Sequence, residues 1–331
     1  MGLVPPLKHT SEEWNSIAVK AVRDLVWERR ACVWTEIEAY LADRETPTVG
    51  SHIDPHHLSN ARRRLEDSGA LIPETVSTKG GRQITTYSVT GRAGRNRPTE
   101  SARARKRLLY ARYLGWAMGT ETKQGVVGPA LERAVHASIR EAAPTHGYRV
   151  YNPATGQTST VACISTRLAG GPLDNAYEWR IPPSGPLVVF PVEPKNLRDW
   201  IYPSSVELYQ LLSKAAFISE HCDPIFRVVP VLVCRQAHKT LFWMAKEMGF
   251  HVITTLHQLI DLENYGDPSW ATKLREVRDE LGFDLRQHQG PHDRLLHQFE
   301  SVLPHVAADR FEAWNLVGAK CRHFFTRLSH F

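Results

Sequence analysis

Apolar positions recur at helical spacing through the start of the chain. They fit a first helix at residues 11–29 and two shorter helices at residues 34–41 and 55–68. Asp54 can cap the third of these helices, and Pro55 suits its first turn. The pattern therefore predicts three helices in succession.

Two strand patterns follow the helices, at residues 70–76 and 83–89. The segment Thr78-Lys79-Gly80-Gly81-Arg82 separates them, and a Gly-Gly pair between two such runs is typical of a hairpin tip. Three helices followed by a hairpin with a basic tip resemble a winged helix-turn-helix domain, over residues 11–92. The resemblance implies DNA binding, with protein binding by the same module as the alternative.

The polar face of the third helix suits a DNA groove. Its apolar side is Leu58, Ala61 and Leu65, which leaves the other side for base contacts, because Arg and Asn can bind base edges with two hydrogen bonds. On the hairpin, Lys79 and Arg82 suit phosphates or the minor groove. The candidate DNA-binding residues are His57, Asn60, Arg62, Arg63, Arg64, Lys79 and Arg82, and the partner is double-stranded DNA.

Positive charge is concentrated in one part of the chain. Residues 51–124 contain 14 Lys and Arg against 6 Asp and Glu, whereas the whole chain has a net charge of +6. Residues 91–107 (GRAGRNRPTESARARKR) are the most basic stretch and lead into an apolar helix pattern. A confined basic surplus is typical of a polyanion partner, and we expect this connector to bind phosphates.

The pattern after residue 125 alternates between helix and strand. A helix at residues 128–143 precedes four short strands, and helices then alternate with buried strands. The predicted strands lie at residues 148–151, 160–164, 177–181, 186–195, 226–234 and 251–255, with helices from 204 and at 239–248. This order predicts an α/β sheet with helices on both faces.

Charged residues end the strongest of these strands. Glu193 and Lys195 are two positions apart, so both side chains are expected on one face of the strand. Asp174 lies in the turn before the preceding strand. Buried charges are costly unless they are paired or bind a metal, and two carboxylates beside a lysine can hold a hard divalent cation.

Asp174 with Glu193-Pro194-Lys195, in this order of elements, resembles the PD-(D/E)xK nucleases, the superfamily of restriction endonucleases. The resemblance covers residues 125–258. It implies that Asp174 and Glu193 bind Mg²⁺ (or Mn²⁺), that Lys195 assists phosphodiester hydrolysis, and that Glu132 on the first core helix supports them. Pro194 departs from the usual pattern because it cannot donate to a sheet, which predicts an edge or a strand end there.

The last part of the chain looks helical, at residues 270–281, 290–303 and 307–328, and an apolar stripe there allows a homodimer. His288, His292 and His297 cluster around Gly290-Pro291, and we expect them on a surface or helix face. No apolar run suits a membrane helix, so we expect no membrane partner. Five unpatterned cysteines and the lack of a signal-peptide pattern favour the cytoplasm.

Together these patterns predict an α/β protein (α+β overall) with a winged helix-turn-helix, a central restriction-endonuclease-like mixed sheet flanked by helices, and a helical C-terminal extension. The expected divisions are 1–94 for the winged helix, 95–124 for a basic linker and connecting helix, 125–262 for the nuclease-like core and 263–331 for the extension. The predicted function is a Mg²⁺-dependent DNA endonuclease, in restriction or defence by analogy. The alternatives are a DNA-binding regulator whose α/β domain dimerises or senses a ligand, and a nuclease for RNA or branched DNA.

Overall fold

The computed structural model shows a mixed α/β chain that forms two compact units. It describes residues 9–45, 51–78, 80–91, 96–119, 125–161, 164, 167–168, 170–182 and 184–328, with side chains as far as residue 317. Unit 1 comprises Met1–Lys123 and Asp267–Asp284, and unit 2 comprises Gln124–Gly266 and Leu285–Phe331. No helix in these described ranges is long and apolar enough to span a membrane.

The helices in chain order are α1 (Ser11–Arg29), α2 (Trp34–Leu41), α3 (Pro55–Asp67), α4 (Arg97–Met118), α5 (Gly128–His146), α6 (Val206–His221), α7 (Lys239–Met248), α8 (Trp270–Leu281), α9 (Asp293–His297) and α10 (Leu303–Leu328). The strands are β1 (Cys32–Val33), β2 (Leu71–Ser77), β3 (Gln83–Val89), β4 (Arg149–Val150), β5 (Asn175–Arg180), β6 (Leu187–Lys195), β7 (Phe226–Val228), β8 (Val231–Cys234), β9 (His251–Thr254), β10 (Gln258–Ile260) and β11 (Leu285–Gln287). A π-helical segment, Gln298–Val302, joins α9 to α10.

Unit 1 contains α1, α2 and α3 with an antiparallel sheet of order β1-β3-β2. Thr10 and Glu13 form a reciprocal capping box at the start of α1, and Asp54 caps α3 by accepting from His56 N at 2.9 Å. The apolar face of α3, with Leu58, Ala61 and Leu65, is buried. The three helices and the hairpin thus lie where the sequence pattern predicts them.

Two further helices, α4 and α8, belong to unit 1. The sequence predicts α4 as part of a separate connecting segment and α8 as part of a C-terminal extension. Tyr113 on α4 stacks edge-on against Phe283, with ring centroids 4.9 Å apart. The predicted C-terminal extension is therefore divided, since residues 267–284 lie in unit 1 and the following residues lie in unit 2. Sequence pattern finds α8 as a helix but not its packing partner, which is more than 150 residues away in the chain.

Unit 2 is built on a mixed sheet of order β4-β5-β6-β8-β9, with β7 beside the start of β6. The pairs β4–β5 and β5–β6 are antiparallel, whereas β6–β8 and β8–β9 are parallel. Residues 160, 161 and 164 are not strand, in contrast to the predicted strand at 160–164, whose remaining residues lie outside the described ranges. Thr158 instead makes an isolated antiparallel bridge with Leu173.

The two faces of this sheet carry separate apolar cores. On one face, Leu131 and Val135 of α5 pack with Phe190 and Val192. On the other face, the apolar side of α6 packs with Val189 of the same strand and with Leu232 and Cys234 of β8. Because β6 is covered on both faces, its sequence is an almost continuous apolar run, and a charged residue in it is exceptional.

Candidate active site

Three parallel strands end in one row at the carboxyl edge of the unit 2 sheet. Lys195 pairs in register with Cys234, and Cys234 pairs with Thr254. Antiparallel pairing of β6 with β5 ends earlier, at Val192. The last residues of β6, including Pro194, are therefore paired on one side only, in agreement with the strand end that the proline predicts.

Glu193 and Lys195 project from this strand end toward α6. Lys195 Nζ lies 2.8 Å from Glu193 Oε1, and the Glu193 side chain is only 3% exposed. Burial alone lowers the pKa of Lys195, but the charge and hydrogen bond of Glu193 raise it above its usual value. Glu193 thus favours the charged ammonium form of Lys195 at the end of β6.

Asp174 lies opposite this pair. It directly precedes Asn175, which pairs with Val192, so the continuation of the antiparallel register places Asp174 beside Glu193. Burial, and then the charge of Glu193, raise the pKa of Asp174 to about 7, while Lys195 acts in the opposite sense. Two acids and a lysine thus interact where β5 and β6 separate.

Glu132 approaches from α5. Burial raises the pKa of Glu132, Lys195 lowers it, and Glu193 raises it again. Glu132 also contributes to the raised pKa of Asp174. The structure therefore brings the four sequence-predicted residues, Asp174, Glu193, Lys195 and Glu132, within electrostatic reach of one another.

A second lysine in the site, Lys214 of α6, is absent from the sequence prediction. Its Nζ lies 3.0 Å from Glu193 Oε2 and 3.2 Å from Oε1, and it donates to the carbonyl of Pro172 at 2.7 Å. Its side chain is 7% exposed. Lys214 thus links the turn before Asp174 to Glu193. Its burial could have been predicted from the sequence, because it lies three residues after Leu211 and four before Ile218 and therefore on the buried face of α6.

The acids of this site have the chemistry of ligands for a hard divalent cation. Carboxylate oxygens are the preferred donors for Mg²⁺ and Mn²⁺, and the repulsion that raises the pKa of Asp174 is relieved when a cation binds. Within the described ranges, no group of three or more His, Cys, Asp or Glu side chains is arranged to hold a metal ion. Asp174 and Glu193 offer carboxylate oxygens of this kind, and both oxygens of Glu193 accept from lysines.

Neighbouring polar residues fix the backbone around the site. Asn196 donates to the carbonyls of Val127 and Leu259, at 2.6 and 2.7 Å, and is buried. His136 Nδ1 lies 3.1 Å from Asn175 Oδ1, and Gly156 packs over both with φ +82°, where an added Cβ would lie 2.3 Å from Asn175 Oδ1. These contacts hold the residues that adjoin Lys195 and Asp174.

The predicted DNA-contacting side chains of α3 differ in their burial and in their contacts within the protein. His57 and Asn60 are partly buried and contact Asn15 Oδ1, at 2.9 and 3.4 Å. Arg62 stacks over the Trp34 ring, 4.9 Å from its centroid, and lies 3.9 Å from Glu66. The contacts of these three side chains are therefore with other residues of unit 1.

Two of the remaining cations of this set, Arg63 and Arg64, lie nearer to solvent. Arg63 is exposed and donates to Asn60 Oδ1, whereas exposed Arg64 forms a two-pronged ion pair with Glu12, at 2.8 and 3.0 Å. Arg82 donates to the carbonyl of Gly119 at 2.7 Å. Lys79 lies outside the described residues.

Five cations of α4 are paired with acids, whereas the sequence predicts a phosphate-binding connector at residues 91–107, of which residues 92–95 lie outside the described ranges. Lys106 bonds buried Glu36 at 2.7 Å, Arg105 bonds Glu280 at 2.6 Å, and Arg112 bonds Glu276 at 2.5 Å. Arg103 and Arg107 both pair with Glu74. Their acidic partners are distant in sequence, so local charge counts overstate the positive surface of this helix.

One of the clustered histidines is not on a surface. His292 is buried, and its Nε2 lies 3.1 Å from Nε2 of buried His257. Burial lowers the pKa of His292, and nearby His288 lowers it further. The prediction of a surface or helix-face position is therefore wrong for His292.

No protein-family model, no curated protein and no solved structure matches this chain. Function is therefore inferred from the geometry and chemistry of the described residues.

The raised pKa of Asp174 predicts a pH-dependent stability of the metal-free protein. Between the usual value of 3.8 and about 7, the folded state holds a proton at Asp174 that the unfolded state has lost, so this group destabilises the fold as the pH rises. Asp174→Asn should match the wild type near pH 4 and be about 2 kcal/mol more stable above pH 7, allowing for partial solvent screening. Urea unfolding at both pH values measures the difference, and a constant difference would contradict the assigned burial of the charge.

Proposed function

We propose that this protein is a metal-dependent nuclease whose unit 2 has a restriction-endonuclease-like fold. The observation that carries the proposal is the meeting of Asp174, Glu193 and Lys195 at the point where β5 parts from β6. The sheet order β4-β5-β6-β8-β9, with α5 before it and α6 after β6, supports the same conclusion. The resemblance drawn from sequence spacing and the placement of these side chains are thus consistent with each other.

The site residues have separable roles in this proposal. Asp174 and Glu193 would hold the divalent cation, with Glu132 in support. When bound, such a cation polarises a phosphodiester and lowers the pKa of a water molecule. Lys195 keeps its positive charge beside Glu193, so it can orient the attacking water or stabilise the charge that develops on the phosphate.

Unit 1 would hold duplex DNA as a winged helix-turn-helix module. Support comes from the three helices, the β2–β3 hairpin, and α3, which buries its apolar side and presents polar side chains on the other. Arg63 is exposed, and its partner in the structure is the neutral Asn60. It is therefore the α3 arginine that exchanges its present contact for DNA at the lowest cost.

The role of α3 predicts a loss of DNA affinity when Arg63 is changed. Arg63→Gln should weaken binding to a short duplex about tenfold, since one charge-assisted contact is lost. Fluorescence anisotropy across a salt series measures the affinity and the number of phosphates contacted. Arg23→Gln is the matched control, because Arg23 is exposed on α1 beside Ala70 and Thr90. Equal losses in the two variants would contradict a groove-binding role for α3.

A DNA-binding protein without catalysis is the second candidate. The observation that favours it is the closed ion cluster, in which the two oxygens of Glu193 accept from Lys195 and Lys214. Such a cluster can also serve as a buried structural element.

Cleavage of plasmid and of short duplex DNA separates the two candidates. We expect the wild-type protein to nick or linearise DNA with Mg²⁺ or Mn²⁺ and to do neither with EDTA, while it binds DNA in both conditions. Binding without metal-dependent cleavage of duplex DNA, branched DNA or RNA would contradict the nuclease proposal and favour the regulator. Competition among these three nucleic acids identifies the substrate.

A further inference from the structure

We propose that a basic surface of unit 2, formed by Arg286, His288 and Arg294, binds backbone phosphates of a nucleic-acid strand. These phosphates neighbour the phosphate that the same strand places at Lys195. We call the basic surface the edge surface. The inference rests on the proposed function, because it assigns the neighbouring part of the substrate. It adds an interaction surface that lies on β11, the residue after it and α9, outside the cluster of acids and lysines.

The edge surface lies at the same edge of the sheet as the candidate active site. Arg294 donates its Nε to the carbonyl of Thr254 at 2.6 Å, and Thr254 stands in register with Cys234 and Lys195. Neighbouring strands are about 4.8 Å apart, so the backbone positions of Lys195 and Thr254 are about 10 Å apart. Arg294 is thus anchored two strands away from the catalytic lysine.

The β10–β11 pair connects the other members of the edge surface to the site. Gln258 of β10 donates to the carbonyl of Asn196, the residue after Lys195, at 2.8 Å. Arg286 pairs in register with Leu259, and His288 N donates to the carbonyl of Ile260 at 3.0 Å. The Gln258 side chain and the β10–β11 pairing therefore fix the positions of Arg286 and His288 relative to the end of β6.

The three members of the edge surface surround the buried imidazole of His292. After burial, the pKa of His292 is lowered by His288, Arg286 and Arg294, while Asp293 acts in the opposite sense. Arg286 and Arg294 are exposed. A nearby acid, Asp261, is engaged by Arg133 at 2.8 Å and by the side-chain amides of Asn264, Gln287 and Gln289.

A buried cation adds to the positive field between the two ends of this row. Arg235 follows β8 and is 3% exposed, and its guanidinium donates to the carbonyls of Leu197 and Arg198. Each of the three parallel strands therefore has a cation at its carboxyl end.

The spacing of these cations fits a nucleic-acid backbone. One strand of duplex DNA rises about 3.4 Å per phosphate along the helix axis and also winds around that axis, so neighbouring phosphates are further apart than this rise and about 10 Å corresponds to one to two phosphate steps. A strand with a phosphate at Lys195 therefore brings another phosphate to Arg294. A row of cations at this spacing favours a polyanion whose charges repeat regularly.

Salt-dependent binding of a fluorescein-labelled duplex, measured in EDTA, tests the edge surface. Arg294→Gln and Arg286→Gln should each weaken binding about tenfold and lower the slope of log affinity against log salt by about one. Arg180→Gln is the matched control, because it removes the same charge from the opposite end of β5, where Arg180 pairs with Leu187. Thermal unfolding of each variant establishes that it is folded, and Arg286→Gln leaves the Arg294–Thr254 hydrogen bond in place.

The outcomes separate this inference from the nuclease proposal. Loss of affinity in Arg286→Gln and Arg294→Gln but not in Arg180→Gln supports the edge surface, even if the wild type fails to cleave DNA with Mg²⁺. Unchanged binding in both edge variants, or the same loss in all three variants, overturns it. Wild-type cleavage together with unchanged binding overturns the edge surface and leaves the nuclease proposal standing.

Discussion

Lys195→Ala is expected to cleave bound DNA about 10²- to 10³-fold more slowly than the wild type, because removal of one preorganised charged donor has an effect of this size. The fold should persist, since Glu193 keeps its contacts with Lys214. Single-turnover cleavage at saturating protein and Mg²⁺ isolates the chemical step from binding. Asp174→Ala should be similarly impaired, through loss of the metal.

The matched control for this loss is Lys239→Ala. Lys239 is an exposed lysine at the start of α7, in the same unit, so its replacement makes the same change in net charge. It should cleave at the wild-type rate. A Lys195→Ala rate within twofold of the control would remove Lys195 from the chemistry and leave it as a partner of Glu193.

Glu193→Gln is expected to destabilise the metal-free protein by about 3 kcal/mol, because loss of one member of a buried charge pair leaves the other uncompensated. Glu193 lies between Lys195 and Lys214, and the Lys214 side chain is 7% exposed. Urea unfolding with EDTA present gives the free energy of unfolding without a contribution from metal binding. The variant keeps the shape of the side chain, so lost packing contributes little.

Lys214→Met provides the second step of a double-mutant cycle. The combined Glu193→Gln and Lys214→Met protein should be more stable than the sum of the two single losses by about 1–3 kcal/mol, because the unpaired ammonium is removed with its partner. Additive losses would mean that the contact between Glu193 and Lys214 has no energetic importance. The cycle thus measures the interaction free energy between Glu193 and Lys214, the site residue that the sequence did not predict.

Much of unit 2 could be predicted because its elements are locally encoded. The apolar run of β6 ends in Glu193 and Lys195, and period-two alternation places both side chains on one face, where the structure has them. Helical spacing likewise locates α5 and the helix after β6. The meeting of Asp174 with Glu193 required the β5–β6 register, which pattern alone does not specify.

The features that escaped prediction depend on contacts between distant residues. Lys214 is 21 residues from Glu193 in sequence, and only the packing of α6 on the sheet brings them together. The cations of α4 appear free in the sequence because their partners Glu36, Glu74, Glu276 and Glu280 lie on other elements. Local charge patterns therefore overstate the unpaired positive charge of this helix.

Titration of the metal-free protein with Mn²⁺, followed by calorimetry above pH 7, tests the central claim most directly. At that pH Asp174 is ionised in most molecules, so the pair of acids is ready to bind a cation. We expect the wild type to bind Mn²⁺ saturably, and we expect Asp174→Asn to bind it at least about tenfold more weakly, in line with the loss of one charged ligand. Equal binding by the two proteins, or no binding by the wild type, would contradict the assignment of Asp174 and Glu193 as a metal site.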